Sequence, residues 1–365
     1  MGVFQDLEQR DHEQVVFCSD QHSSLRAIIG IHDTTLGPSL GGCRMWPYAD
    51  EEAALRDVLR LSRGMTYKAS IAGLNLGGGK SVIIGNPKQD KSELLFRSFG
   101  RFVDGLGGRY ITAEDVGTSV KDMEYVRMET DYVTGVEQVH GGSGDPSPVT
   151  ALGVFTGMKA CVKRVYGNDS LAGKKISVQG LGHVGQNLVE QLVNDGADVY
   201  VADIDEEKVR ETVEAYDVEA VGSDEIFGLD VDIFSPCALG GIINDETIPQ
   251  LKCTIVAGAA NNQLERESEH GKVLKEKGIL YAPDYAINAG GLINVYNELE
   301  GYHRERALQQ AEGIYDILMD VLTRAEEENI PTNVASDRVA EDRIHNIGQI
   351  KNIYVGHVTG VQIQS

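Results

Sequence analysis

The sequence predicts an α/β protein of two domains, the first of mixed α/β character and the second built on a parallel sheet. Three observations predict this. The chain has 365 residues, too many for one ordinary domain and enough for two that each bury a core. Strand-like and helical runs are mixed over residues 1–135, whereas beyond residue 145 they alternate regularly. Between the two regimes lies "GVEQVHGGSGDPSPVT" (135–150), rich in glycine and proline, which reads as a hinge.

In the first domain "LRAIIGIHD", "KSVIIG" and "GGRYITAED" read as strands. "EEAALRDVLRLSRGMTYKA" places Ala54, Leu55, Val58, Leu59 and Leu61 on one apolar stripe, as an amphipathic helix does. "SELLFRSFGRFVDGL" reads as a second helix, with Ser92 as N-cap and glycines after its end. In the second domain, residues 145–329, "KISVQG", "DVYVAD", "VDIFSP", "CTIVAG" and "ILYAPD" are short apolar strands separated by helices. Two long charged helices, "HRERALQQAEGIYDILMDVLTRAEEE" and "SDRVAEDRIHNIGQI", close the pattern.

Composition narrows the class. A net charge of −23 argues against a nucleic-acid partner, which requires basic faces. No apolar run is long enough to span a bilayer, and the polar, acidic start lacks a signal-peptide core. Cys18, Cys43, Cys161, Cys237 and Cys253 are scattered, with no CxxC pair, and read as reduced thiols. The nine histidines show no ligand spacing, so no metal site is expected. The expected setting is the cytoplasm.

"KKISVQGLGHVGQNLVEQLVNDGADVYVADID" carries Gly180, Gly182 and Gly185 in GxGxxG spacing after a strand and at the start of a helix. Gly180 permits the tight turn, Gly182 lets backbone approach a pyrophosphate, and Gly185 lets helix and strand pack closely. The loop Gly180, Leu181, Gly182, His183, Val184, Gly185 and Gln186 therefore reads as the phosphate cradle of a Rossmann-type dinucleotide-binding domain. Asp203 ends the next strand, where a carboxylate accepts from ribose hydroxyls and repels a 2′-phosphate. NAD is expected as cofactor.

"GLNLGGGKSVI" (73–83) superficially resembles a phosphate loop, but five residues rather than four precede its Gly-Lys pair, and a strand rather than a helix follows. Lys80 instead reads as a proton-handling amine, with the glycines before it as clearance for ligand. A second amine, Lys68, stands in "GMTYKAS". Two ammonium groups in one apolar pocket disfavour each other's charge and burial adds to this, so one acts as base while the other binds an anion. Asp115, in "TAEDVGTS", is placed to orient the base or to exchange protons with an amine. The same residues also fit a surface lysine, a snorkelling lysine and a helix-capping aspartate. "PSLGGCRM" fits either a close backbone approach to ligand or a plain turn. Asn261 and Asn262, after "TIVAGAA", fit either ligand contacts or loop capping.

"GPSLGGCRMWPY", "LRLSRGMTYK", "AGLNLGGGKSVIIG", "GGRYITAEDVGT", "DPSPVTALGV", "PCALGGIINDETIPQLK" and "YAPDYAINAGGLINV" resemble, in order and over nearly the whole chain, the Glu/Leu/Phe/Val amino-acid dehydrogenases. The resemblance implies NAD-dependent, reversible oxidative deamination of an L-amino acid to its 2-oxo acid and ammonia. It implies Lys80 and Asp115 as catalytic residues, Lys68 with Asn262 on the substrate carboxylate, and Gly41, Gly42 and Met65 lining the cleft. Thr150, Asp203 and Asn261 would join the glycine loop around NAD. Leu40, Ala113, Leu292 and Val295 match the side-chain pocket, and their apolar character implies leucine, valine or isoleucine. Ala113 favours the leucine type, whereas Leu292, the third glycine of "GGGK" and "GGCRM" are features of phenylalanine-type members. Phenylalanine or valine preference is therefore the alternative, and a non-catalytic NAD-binding protein a remoter one. The resemblance also implies a homo-oligomer, often an octamer, assembled through the N-terminal domain, with segment 330–365 returning to that domain.

Overall fold

The computed structural model describes residues 3–350, so the part of segment 330–365 beyond Ile350 lies outside the described residues. The chain runs α1 (Val3–Arg10), β1 (Gln14–Asp20), β2 (Leu25–Asp33), β3 (Ser39–Trp46), α2 (Glu51–Ile71), β4 (Gly77–Ile84), α3 (Glu93–Asp104), β5 (Tyr110–Glu114) and α4 (Val120–Arg127). After a short 3-10 turn it continues as α5 (Ser147–Tyr166), β6 (Lys175–Gln179), α6 (His183–Asn194), β7 (Asp198–Ala202), α7 (Glu206–Ala215), β8 (Glu219–Ala220) and β9 (Ile233–Pro236). Next come β10 (Ile255–Val256), α8 (Glu267–Glu276), β11 (Leu280–Tyr281), α9 (Asp284–Ile287) and α10 (Gly290–Leu299). The last helices are α11 (Arg304–Glu312), α12 (Ile314–Glu327) and α13 (Thr332–Ile350).

The first sheet has the order β1-β2-β4-β3-β5, antiparallel between β1, β2 and β4 and parallel from β4 through β3 to β5. Helices cover both faces, which is why its strands read as nearly continuous apolar runs. Ile29, Ile31, Met45, Ile83 and Tyr110 pack with Phe96, Phe99 and Val103 of α3 and with Met123 and Val126 of α4. Ile28 and Val82 pack on the other face with Ala54, Leu55, Val58 and Leu59 of α2, the stripe expected from the sequence. Burial of each such side chain contributes about 1.5–3 kcal/mol. Ser92 caps α3, its Oγ accepting from the Leu95 N–H at 3.1 Å.

The second sheet is parallel throughout, in the order β11-β10-β9-β6-β7-β8. The order reverses between β6 and β9, and ligands of open parallel sheets bind at the carboxyl ends of strands at such a switch point. An apolar cluster joins the two lobes, running from Leu40, Tyr67, Ile71 and Leu76 to α5, β6, α9, α10, α12 and α13. Helix α13 lies along α2, where Arg343 donates to the carbonyls of Leu74 (2.8 Å) and Gly73 (3.1 Å), and the Ser70 hydroxyl donates to the Ala340 carbonyl (2.7 Å).

Three local expectations change. "PSLGGCRM" is a strand, β3, at the centre of the parallel part of its sheet rather than a turn. The strand holding Lys80 begins at Gly77, so the lysine lies inside it. The run ending "DILMDVLTRAEEE" is two helices, broken at Gly313, whose weak helix preference lets the chain tighten locally.

Candidate active site

Lys80 stands on the face of β4 that meets α2, and a Cβ at Gly78, on the same face, would lie 2.1 Å from the Thr66 nitrogen of α2. A Cβ at Gly77 would lie 1.9 Å from the Asp33 carbonyl oxygen, and one at Gly79 would lie 2.6 Å from the Tyr110 ring. The three glycines therefore make room for protein, not for ligand, which corrects the expectation from the sequence. They let α2 and the neighbouring strands close around Lys80 and leave it buried.

Lys80 Nζ contacts the Asp115 carboxylate, which follows β5. Asp115 reaches it because β3 between them carries glycine. A Cβ at Gly42 would lie 2.8 Å from the Asp115 Cβ, and one at Gly41 would lie 1.8 Å from the Gly79 carbonyl oxygen and 3.3 Å from Met65 Cγ. Burial, and after it the Arg44 guanidinium, pushes the Lys80 ammonium down to about 7. Lys68 adds only a minor push, so the mutual repulsion expected of the two lysines is not the main cause. The Asp115 carboxylate on Nζ acts the other way and favours the charged amine.

Lys68, on α2, donates to Asn288 Oδ1 at 2.6 Å. Asn288 Nδ2 in turn donates to Asn261 Oδ1 (2.9 Å) and to the Ala259 carbonyl (3.0 Å), so Lys68 is bridged from the first lobe to the β10 loop. Burial pushes the Lys68 ammonium down to about 8, opposed by the Asp284 carboxylate. Asn262 is exposed, in left-handed backbone at φ 51°, and Asn288 rather than Asn262 is the asparagine on Lys68. Sequence reasoning missed Asn288 and Asp284. The available signal was "DYAINAGG" just after β11, at the ligand edge of the sheet.

Leu40, Leu292, Met65 and Val295 share one apolar cluster, drawn from both lobes. Ala113 pairs with Gly42 across β5 and β3 and is buried outside that cluster.

The loop after β6 fits a dinucleotide phosphate. Gly180 has φ 103°, and a Cβ there would lie 2.8 Å from Ala238 at the end of β9. A Cβ at Gly185 would lie 2.0 Å from the Gly180 carbonyl oxygen, whereas Gly182 faces open space. Gly182 is the N-cap of α6 with no side-chain cap, which leaves first-turn N–H groups for an anion. Leu181 is buried, Val184 and Gln186 half-buried and His183 exposed, 3.5 Å from Asp145 of the hinge stretch. Asp203 accepts from the Leu181 N–H (2.6 Å) and the Asp205 N–H (2.9 Å), which ties the cradle to β7. Thr150 lies in the first turn of α5, where its hydroxyl donates to the Pro146 carbonyl and lies against Gly291. Among the described residues no group of three or more His, Cys, Asp or Glu side chains is arranged to hold a metal, and no helix is long and apolar enough to cross a membrane.

Comparison with known proteins identifies the family and the fold. Residues 12–132 match the family model described as Glu/Leu/Phe/Val dehydrogenase, dimerisation domain, and residues 141–207 and 200–347 match that of glutamate/leucine/phenylalanine/valine dehydrogenase. Leucine dehydrogenase of Geobacillus stearothermophilus is 56% identical over 359 residues, covering 98% of each chain. Phenylalanine dehydrogenase of Thermoactinomyces intermedius is 48% identical over 353 residues, covering 96% of each. The crystal structure of L-tryptophan dehydrogenase from Nostoc punctiforme superposes with a TM-score of 0.86 at 50% identity, over 95% of this chain and 99% of that one. With a buried Lys80, a half-buried Lys68 and a glycine cradle after β6, the chain belongs to the glutamate/leucine/phenylalanine/valine dehydrogenase family.

Proposed function

We propose that the protein catalyses the reversible, NAD-dependent oxidative deamination of L-leucine, and also of valine and isoleucine, to the 2-oxo acid and ammonia. The observation that carries this reading is the Lys80–Asp115 contact, a buried amine of lowered basicity against a carboxylate, with Lys68 on the neighbouring helix. NAD, held by Gly180–Gln186 with Thr150, Asp203 and Asn261, supplies the acceptor for the hydride that leaves the substrate Cα.

The chain's own residues do the rest. Lys68, held by Asn288, binds the substrate carboxylate and fixes the Cα, with Asn262 of the loop after β10 as its proposed second partner. Asp115 takes the proton that leaves the amino group neutral. Loss of hydride gives the substrate iminium, and Lys80 removes a proton from the water that attacks the iminium carbon. Lys80 passes that proton to solvent, Asp115 returns its own to the departing nitrogen, Lys80 then takes the hydroxyl proton, and ammonia leaves as the carbonyl forms. Gly41, Gly42 and Met65 line the cleft above this centre. Leu40, Leu292 and Val295, which share one apolar cluster, would form with Ala113 of β5 an apolar pocket that offers nothing to a distal carboxylate.

NAD is favoured over NADP because Asp203 is followed by Asp205, Glu206 and Glu207, and Arg210 nearby is already engaged by Glu207 at 3.2 Å. The dimerisation-domain match supports self-assembly through the N-terminal lobe, with an octamer as the proposed state. Five free thiols suit a cytoplasmic setting. Phenylalanine- and tryptophan-type relatives at 48% and 51% identity favour an aromatic substrate as the second reading. A panel of L-amino acids with NAD and NADP, followed by absorbance of the reduced cofactor, tests the proposal. Highest kcat/KM with leucine supports it, preference for an aromatic substrate selects the second reading, and no reduction with any amino acid refutes both. Light scattering of the purified protein tests the octamer.

A further inference from the structure

Arg44 is the fourth residue of "GGCR" on β3, and its register partner on β4 is Val82, two residues beyond Lys80. Arg44, Val82 and Lys80 therefore share the face that meets α2. The guanidinium lies between two carboxylates, 2.9 Å from Asp57 of α2 and 3.8 Å from Asp115. Asp57 is itself fixed by the Tyr48 hydroxyl at 2.7 Å and by Arg60 at 3.0 Å. Arg44 Nη1 donates to Asp57, while its buried Nε has no hydrogen-bond partner among the described residues. A charge row thus runs Arg60, Asp57, Arg44, Asp115, Lys80 from the surface of α2 to the reacting centre.

We propose that Arg44 is a positioning residue for proton transfer: pinned by Asp57, it holds the Asp115 carboxylate in place and keeps the Lys80 amine in its basic form. The inference rests on the reading of Lys80 as the base. Asp115 is the nearest anion to Lys80, and alone it would favour the ammonium; the guanidinium beyond it counters that charge. The other groups facing Lys80 are the Cys43 thiol, Asp57 and Lys68, and after burial Arg44 is the largest influence that disfavours the ammonium. Arg44 touches neither substrate nor cofactor in this account; it acts through Asp115.

The test reads Lys80 directly. The full-length protein is labelled by brief acylation with acetic anhydride across a pH series, and modification at Lys80 is quantified by peptide mass spectrometry, beside kcat/KM over the same range. Arg44→Met is expected to move both midpoints up by about one pH unit. Arg44→Lys, which keeps the charge, is expected to restore most of that shift. Arg44→Gln, which keeps a polar side chain beside Asp57 but not the charge, is expected to move the midpoints up likewise, which keeps the test open if Arg44→Met does not fold. Unmoved midpoints in Arg44→Met, or in Arg44→Gln where only that variant folds, overturn the proposal, as does a downward shift in either. Wild-type protein that reduces NAD with no amino acid would defeat the functional reading alone, since the labelling midpoints report Arg44's hold on Lys80 without turnover.

Discussion

At the scale of single residues, the proposed reacting centre rests on a lysine that can lose its proton and on glycines that let its partner reach it. Lys80→Ala is expected to lower kcat by about two to four orders of magnitude, the usual worth of a general base, while NAD binding survives. Calorimetric titration of NAD into the variant checks the second half, and lost binding would return Lys80 to a cofactor role. In the wild type, kcat/KM for deamination should rise as pH climbs through about 7, because only the unprotonated amine accepts a proton from water. A flat profile from pH 6 to about 8 would contradict that assignment. Gly42→Ala puts a Cβ 2.4 Å from the Glu114 carbonyl oxygen and 2.8 Å from the Asp115 Cβ, so turnover should fall more than thermal stability. Lys80, Lys68 and Asp115 drew notice in the sequence because each stands in a short distinctive motif, "GGGKSVI", "GMTYKAS" and "TAEDVGTS", and their roles are proposals. Arg44, Asp57 and Asn288 were not, since each acquires its partner only when β3, α2 and α9 come together.

At the scale of elements, capping and backbone approach decide what forms. Ser92→Ala removes the side-chain acceptor for the Leu95 N–H and is expected to destabilise α3 by about 1 kcal/mol, seen as a lower midpoint in urea. A hydrophobic face as strong as that of α3, with Phe96, Phe99 and Val103, keeps the helix in place despite that loss. Both α3 and α2 were legible because their apolar periodicity and caps agree. β3 was obscured because Gly41 and Gly42 are turn signals locally, and only the packing of Asp115 and Gly79 against them explains their presence in a strand. The apolar runs "CTIVAG" and "ILYAPD" exceed the two-residue pairings of β10 and β11, since burial rather than ladder length sets such runs.

At the scale of the whole molecule, two lobes share a cleft, and what connects them controls how it closes. The stretch 135–150, read from its composition as a hinge, is held by a residue of the second lobe. Glu298, near the end of α10, accepts from the Gly135 N–H at 2.9 Å, the Ser143 N–H at 2.9 Å and the Ser143 hydroxyl at 2.5 Å. The lobes are bridged independently by Lys68 to Asn288. Composition revealed where the chain bends but not what anchors the bend, because Glu298 is more than 150 residues away in sequence. A carboxylate receiving three donors holds Gly135 and Ser143 in place relative to α10. Glu298→Ala should therefore loosen the hinge without touching the proton-transfer pair. Hinge residues affect commitment to the closed state, so kcat and KM should change together, by about three- to tenfold each, while the kcat/KM midpoint near 7 stays put. Steady-state kinetics across pH measures both quantities on one sample. A shifted midpoint would mean that Glu298 reaches the reacting centre electrostatically, and unchanged kcat and KM would mean that the loop keeps its conformation without it.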